Sequence, residues 1–118
     1  MLSRSKKNTN LLYNLSIADI VISDYSSVGY ESIILNIPTI LVDNDYWNDV
    51  SYKSKLICEK ARNASIRVKT MDDVVNAINT YIYNPTFLED KRLYYSEQLT
   101  INKGCASKVF VDEMLKML

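Results

Sequence analysis

Two short apolar runs, at residues 19–23 and at Thr39–Val42, constrain the fold of this chain more than any other feature. Both are rich in β-branched residues and neither alternates polar with apolar side chains, which is typical of strands covered on both faces of a parallel sheet. Residues 28–35 between them predict a short helix that ends where Asn36 can adopt a left-handed conformation and Pro38 blocks continuation. The sequence therefore predicts a β-turn-α-β unit and an α/β fold with a short parallel sheet, to which a weaker strand at 65–68 would add.

Helices are expected to dominate the rest of the chain. Thr70 and Asp73 have the spacing of a capping box, with Asp in place of the usual Glu. The helix that they open is predicted to bury one apolar face, made of Met71, Val74, Val75, Ile78 and Ile82. Further helices are predicted at 87–99, after Pro85, and at 106–118, after Gly104.

Composition limits the classes of function. The 118 residues include 47% hydrophobic residues, and 14 Lys and Arg balance 14 Asp and Glu. We expect one domain over residues 11–118 after a flexible tail at 1–10, and no nucleic-acid partner, because no basic field would gather phosphates. The chain has no histidine, which rules out His-ligated zinc and a Ser-His-Asp relay built from its own residues.

The two cysteines and the apolar runs indicate the compartment. Cys58 and Cys105 stand apart from any second ligand at metal spacing, so we expect both to be small buried apolar residues and expect no metal site. No run approaches the roughly 20 apolar residues of a membrane span, and no segment has the pattern of a signal peptide. A cytoplasmic protein is therefore expected.

Short polar side chains follow the first strand directly. Asp24, Ser26 and Ser27 lie where a strand end meets a helix start, and ligands of open α/β sheets bind at such ends. Free amides and hydroxyls at a helix N-terminus suit a phosphate, and Glu31, one turn on, could accept hydrogen bonds from sugar hydroxyls. Gly29 removes a side chain where a ligand or a strand comes close. The alternative is structural: Ser27 caps the helix, Asp24 caps the turn and Glu31 is solvated.

A second polar segment, residues 43–51, follows the second strand and is interpreted as a loop at the rim of the same site. Its Tyr46 and Trp47 could stack on a base, but in a chain with 9 tyrosines an aromatic residue in a loop is unremarkable. We assign them no role.

Residues 18–28, with Glu31 and the Asn36-Ile37-Pro38 segment before a strand, resemble the C-terminal domain of the CDP-glycerol glycerophosphotransferase family, which builds teichoic acids and capsular polymers. The resemblance extends to residues 103–107. It implies the C-terminal half of a GT-B fold, a Rossmann-like and incomplete nucleotide-donor-binding domain. Ser26 and Ser27 would contact the donor diphosphate, Glu31 the ribose, and Gly104 with Ser107 a second anion position. Asp24 and Gly29 would be structural.

The same pattern is also similar to that of GT-B glycosyltransferases and UDP-N-acetylglucosamine 2-epimerases, so an activated nucleotide donor is implied more firmly than cytidine. The chain departs from the family because it has no catalytic histidine, carries Asn102 where relatives often have Asp, and lacks the Arg-Gly signature between residues 46 and 62. A fragment or subunit that needs a separate acceptor domain, and that does not turn over alone, is expected.

The expected partners are CDP-glycerol or a related activated donor and the missing N-terminal acceptor domain or subunit, and no cofactor is expected. A homo-oligomer is an option, because the surface left by the missing half must be covered. The basic segment from Arg4 to Lys7 is compatible with peripheral contact with the cytoplasmic face of the membrane. The alternative of a different class is a non-catalytic interaction domain that retains the fold as a remnant.

Overall fold

A computed structural model describes residues 10–24, 26–43 and 60–118. Three strands are described, β1 (Val21–Ser23), β2 (Thr39–Val42) and β3 (Ile66–Val68). The described helices are α1 (Leu11–Ser16), α2 (Ser27–Ile34), α3 (Met71–Tyr83), α4 (Glu89–Leu99) and α5 (Ala106–Lys116), and a 3-10 turn covers Arg62–Ala64. Most of the predicted tail at 1–10, together with Cys58, Tyr46 and Trp47, lies outside the described residues.

The strands form one parallel sheet in the order β1-β2-β3. Val21 is in register with Thr39, and Ile40 is in register with both Ile22 and Ile66. With helices packed on the sheet, the architecture is α/β and has the arrangement of a partial Rossmann-like fold. The predicted β-α-β unit and third strand are confirmed, and Asn36 is left-handed at φ 58°.

α3 covers one face of the sheet at β2 and β3. Ile40, Val68, Ala77 and Tyr81 form its buried core, and Thr70 and Asp73 form the predicted capping box. The predicted apolar face of α3 is wrong in part: Val74 and Ile78 pack against the core, whereas the other three predicted side chains are exposed. These are Met71, Val75 and Ile82.

The prediction that both runs are covered on both faces holds for β2 and is wrong for β1. Ile40 and Leu41 are almost fully buried, whereas Ile22 is 49% exposed. Ile22 points to the same side as Ile40, because paired residues of parallel strands share a face. α3 packs on β2 and β3, so the part of this face that belongs to β1 is left uncovered by it.

α2 lies on the opposite face and is fixed at its C-terminal end by α4. Ser96 Oγ and Lys103 Nζ both donate to the carbonyl oxygen of Ile34, at 2.9 and 2.6 Å. A cation at this position also complements the negative end of the helix dipole. The last turn of α2 is therefore held by groups distant in sequence.

Arg92 completes this junction and is only 1% exposed. Its Nε donates to Asn36 Oδ1 at 3.0 Å and its Nη1 to the carbonyl oxygen of Phe87 at 2.7 Å. The guanidinium also lies 5.9 Å from the ring centroid of Tyr81, within the range of a cation–π contact. One side chain of α4 thus joins the α2–β2 connection, α3 and the α3–α4 connection.

The expectation of two buried cysteines is wrong for Cys105, which is exposed. Cys105 immediately precedes α5, a helix without a buried residue. The residues that follow it therefore form no apolar core in which its side chain could be buried. Over residues 10–24, 26–43 and 60–118, no helix has the length and apolar character needed to cross a membrane.

Candidate functional site

The turn after β1 is built by two side chains. Asp24 Oδ1 accepts a hydrogen bond from the backbone N–H of Ser26 at 2.9 Å, the local Asx bond that favours a tight turn. Ser26 has extended backbone angles and is the N-cap residue of α2. The interpretation of Asp24 as a turn cap is confirmed, and that of Ser27 as the helix cap is wrong by one residue.

The Ser26 side chain does not use its hydroxyl to cap α2. Its Oγ lies instead 3.0 Å from Ser23 Oγ, and Ser26 and Ser27 are both exposed. The first amides of any α-helix have no acceptor within the helix. The N-terminal end of α2 therefore offers amide and hydroxyl donors to solvent at the carboxyl end of β1, where α/β sheets bind ligands.

Gly29 is buried directly behind this turn, and its position explains the residue type. A Cβ at Gly29 would lie 2.7 Å from Leu41 Cδ2 and 3.7 Å from the carbonyl oxygen of Asp24. Contacts under 3 Å between carbon atoms are repulsive, so the missing side chain lets α2 approach β2. The close approach is made by a strand residue of the chain itself.

Glu31 lies one helical turn after Ser27, so both side chains leave α2 on the same side. Glu31 is partly exposed. Among the described residues, no hydrogen bond or ion pair holds its carboxylate. It remains available to a ligand that would extend along α2 from the serine pair.

Gly104 and Ser107 are associated with the opposite end of α2. Lys103, next to Gly104, is bound to the last carbonyl of α2, and the eight residues of α2 span about 12 Å. Gly104 has φ 82° and Ser107 is exposed in the first turn of α5. Within the described part of the chain no hydrogen bond joins either residue to Ser26 or Ser27.

A charged cluster, not foreseen from the sequence, lies at the same carboxyl edge. Asp43 follows β2 and accepts from Arg62 Nη2 at 2.6 Å and from Arg67 Nε at 2.8 Å. Burial pushes the pKa of Asp43 upward, but the hydrogen bonds and charges of Arg67 and Arg62 outweigh it and hold the pKa below its usual value. Asp43 thus connects the end of β2 to β3 and to the 3-10 turn before it through two guanidinium groups.

Arg67 belongs to the same row of the sheet as the serine turn. Ser23 pairs with Leu41, and Leu41 pairs with Arg67, so the backbones of Ser23 and Arg67 lie about 10 Å apart. The side chains of Ser23, Leu41 and Arg67 point to the face of the sheet on which α2 packs. Arg67 therefore lies on the same side of the sheet as the exposed donors of α2.

A cavity of about 840 Å³ begins at Arg67 and runs between β3 and α4. Lys91, Tyr94 and Tyr95 line it on the α4 side, with the two tyrosine rings edge to face at 5.1 Å. Ser26 and Ser27 do not line this cavity. No cluster of three or more Asp, Glu or Cys side chains suited to a metal ion occurs among the described residues.

Comparisons of the chain with protein-family models, with curated proteins and with solved structures return no match. The described part of the chain has an α/β architecture of three parallel strands flanked by helices, with hydroxyl and amide donors at the carboxyl edge of the sheet.

Proposed function

We propose that this chain is the C-terminal donor-binding portion of a CDP-glycerol glycerophosphotransferase-like enzyme, which transfers polyol phosphate from a CDP-alcohol to a teichoic acid or capsular polymer. The observation that carries the proposal is the exposed Ser26 hydroxyl. It stands at the N-terminus of α2 without capping that helix, beside the equally exposed Ser27. A diphosphate would accept from these hydroxyls and from the first amides of α2.

The electrostatics favour an anion here but make the interaction weak. The dipole of a helix contributes roughly 0.3–1 kcal/mol to binding a charge at its end. Arg67 lies about 10 Å away, beyond direct contact with a phosphate held at Ser26. We therefore expect the chain alone to bind a nucleotide diphosphate with millimolar to high-micromolar affinity.

The reaction in this proposal is attack by a terminal polymer hydroxyl on the β-phosphorus of CDP-glycerol, with release of CMP. Such transfers depend on positioning and on stabilising charge. Ser26, Ser27 and Glu31 would hold the donor, while the acceptor and the base that removes its proton would come from another domain or subunit. Since the 118 residues contain no histidine, we expect no CMP release from CDP-glycerol by this chain alone.

Two other functions use the same turn differently. A GT-B glycosyltransferase or a 2-epimerase fragment would bind a UDP-sugar at Ser26 and Ser27, and an interaction remnant would bind no nucleotide. Titration of the chain with CDP-glycerol, CDP and UDP-N-acetylglucosamine, followed by ¹H–¹⁵N NMR shifts, separates the three. The proposal expects CDP-glycerol and CDP to shift the amides at the start of α2.

Variants give the test its specificity. Replacing both serines, Ser26→Ala with Ser27→Ala, should weaken CDP binding at least tenfold, because a hydrogen bond to a charged group has a net contribution of about 1.5–3 kcal/mol. Ser16→Ala, an exposed serine on α1, is the matched control and should bind as the parent does. Tighter binding of the UDP-sugar would contradict the choice of donor, and no shift at millimolar ligand would contradict nucleotide binding altogether.

A further inference from the structure

The cavity between β3 and α4 has walls that are fixed by hydrogen bonds. Arg92 Nη1 donates to the carbonyl oxygen of Phe87 at 2.7 Å, and Ser65 Oγ donates to the carbonyl oxygen of Arg62 at 2.6 Å. Phe87 and Ser65 both line the cavity, whose volume of about 840 Å³ lies in the range of pockets that bind small molecules. A pocket that is formed in advance binds a ligand without the cost of ordering its own walls.

Aromatic side chains give this cavity much of its apolar surface. Tyr94 and Tyr95 of α4 line it, and their ring planes meet at 77°. Tyr94 is 57% exposed, so much of its ring is accessible from the solvent. Phe87 adds a third ring to the lining, and its edge-to-face contact with the buried Tyr81 at 6.3 Å fixes its position.

Three polar side chains of different chemistry share the lining. They are the amide of Asn63, the carboxylate of Asp90 and the ammonium of Lys91, and all three residues are exposed. In the part of the chain that the structure describes, no hydrogen bond or ion pair holds any of these side chains. A carboxylate only accepts, an ammonium only donates and an amide does both. The ligand that matches this set must donate and accept at several positions.

We propose that this cavity binds a neutral saccharide, with a sugar ring packed on Tyr94. The C–H groups of a sugar ring are apolar and pack against an aromatic face, while its hydroxyl groups both donate and accept. Asp90 and Tyr94 are four residues apart on α4 and are therefore neighbours on its surface, as are Lys91 and Tyr95. Each tyrosine ring thus has a charged group beside it that can bind the hydroxyls of the sugar.

A phosphate-bearing ligand fits this cavity less well. The Arg67 guanidinium is already bound to Asp43 at 2.8 Å, and the ammonium of Lys91 stands next to the carboxylate of Asp90 along the chain. A phosphate would therefore meet repulsion together with attraction. The proposed nucleotide donor lies elsewhere, at the serine turn, which does not line this cavity. Saccharide binding here does not depend on that function.

The test is a titration of the full chain followed by ¹H–¹⁵N NMR. Maltose, cellobiose and N-acetylglucosamine are the neutral probes, each up to about 50 mM, and glycerol 3-phosphate is the anionic comparison. We expect at least one neutral probe to shift the amides of Lys91, Tyr94 and Tyr95 with millimolar affinity. The double variant Ser26→Ala with Ser27→Ala should bind the saccharide as the parent does, which separates this site from the nucleotide site.

Variants at the aromatic wall test the contact itself. Tyr94→Ala should weaken saccharide binding about fivefold, within the range that an aromatic contact contributes. Tyr94→Phe retains the ring and should bind within about twofold of the parent. Asp90→Ala should also weaken binding, because it removes an acceptor for the sugar hydroxyls. Tyr83→Ala is the matched control, since Tyr83 is 87% exposed on α3 and does not line the cavity.

Urea midpoints show whether each variant is folded as the parent is. The proposal is overturned if none of the three neutral probes shifts these amides, or if glycerol 3-phosphate binds there more tightly than they do. It is also overturned if Tyr94→Phe loses as much affinity as Tyr94→Ala, because the ring would then not be the source of binding.

Discussion

Replacing Arg92 with alanine should remove a large part of the stability of this fold. The side chain is almost fully buried and donates to two neutral oxygens, Asn36 Oδ1 and the Phe87 carbonyl. Alanine would remove both hydrogen bonds, and a hydrogen bond from a charged group contributes about 1.5–3 kcal/mol. It would also leave a cavity beside the Tyr81 ring.

We therefore expect Arg92→Ala to lower the free energy of unfolding by about 3–5 kcal/mol. A chain of 118 residues has roughly 6–18 kcal/mol in total, at about 0.05–0.15 kcal/mol per residue. Arg92→Lys keeps a charge but can reach only one of the two acceptors, so its loss should be intermediate. Alanine is the best helix former, so helix propensity does not add to the cost.

Urea unfolding followed by circular dichroism measures the effect, with Lys91→Ala as the control on the same helix. Lys91 is exposed, and its removal should change stability by less than about 0.5 kcal/mol. Unchanged m-values would show that the variants unfold from the same compact state. A loss below about 1 kcal/mol for Arg92→Ala, or equal losses at positions 91 and 92, would refute the reasoning that Arg92 joins these elements.

Two further predictions concern the sheet. The pKa of Asp43 is lowered in the folded chain, so its ion pairs add stability that is present above the unfolded pKa and is lost as the pH falls through the folded pKa. The urea midpoint of the parent should therefore fall in acid below about pH 4, and Asp43→Asn should flatten that fall; equal acid slopes in the two proteins would count against it. Gly29→Ala should destabilise the fold by up to about 2 kcal/mol, because its Cβ would meet Leu41 Cδ2 at 2.7 Å and overpacking costs about 1–3 kcal/mol, of which the better helix propensity of alanine returns about 1 kcal/mol. Leu41→Val should recover part of that loss when combined with it. If the stability loss of the double variant equals the sum of the losses of the two single variants, the contact between Cβ and Leu41 Cδ2 is not the cause.

The elements that the sequence predicts well are those fixed by neighbours in the chain. The capping box at Thr70 and Asp73, the left-handed Asn36 and the strand Thr39–Val42 depend on spacings of a few residues, and all three occur as predicted. The exposed serine turn follows from the rule that ligand sites form where strands end. Its role in binding stays a prediction.

The features that the sequence does not predict depend on partners far apart in the chain. α3 carries apolar residues on most of its circumference, and the buried side is selected by packing: Tyr81 contacts Phe87 with ring centroids 6.3 Å apart. Arg92 and Asn36 are 56 residues apart. The ion pairs of Asp43 depend on the register between β2 and β3, which no local pattern encodes.

The hydrogen bonds of Ser96 and Lys103 to the last turn of α2 also affect the other end of that helix. A helix of eight residues is too short to bend, so it moves as a rigid body and a displacement at one end also displaces the other. Lys103 and Ser96 bind the carbonyl oxygen at its C-terminal end, so a shift of these two side chains would move the whole helix, including its N-terminal residues. Lys103 lies about 12 Å from the serines and makes no contact with them. A substitution at Lys103 should therefore change the orientation of the turn at Ser26 through the displacement of α2.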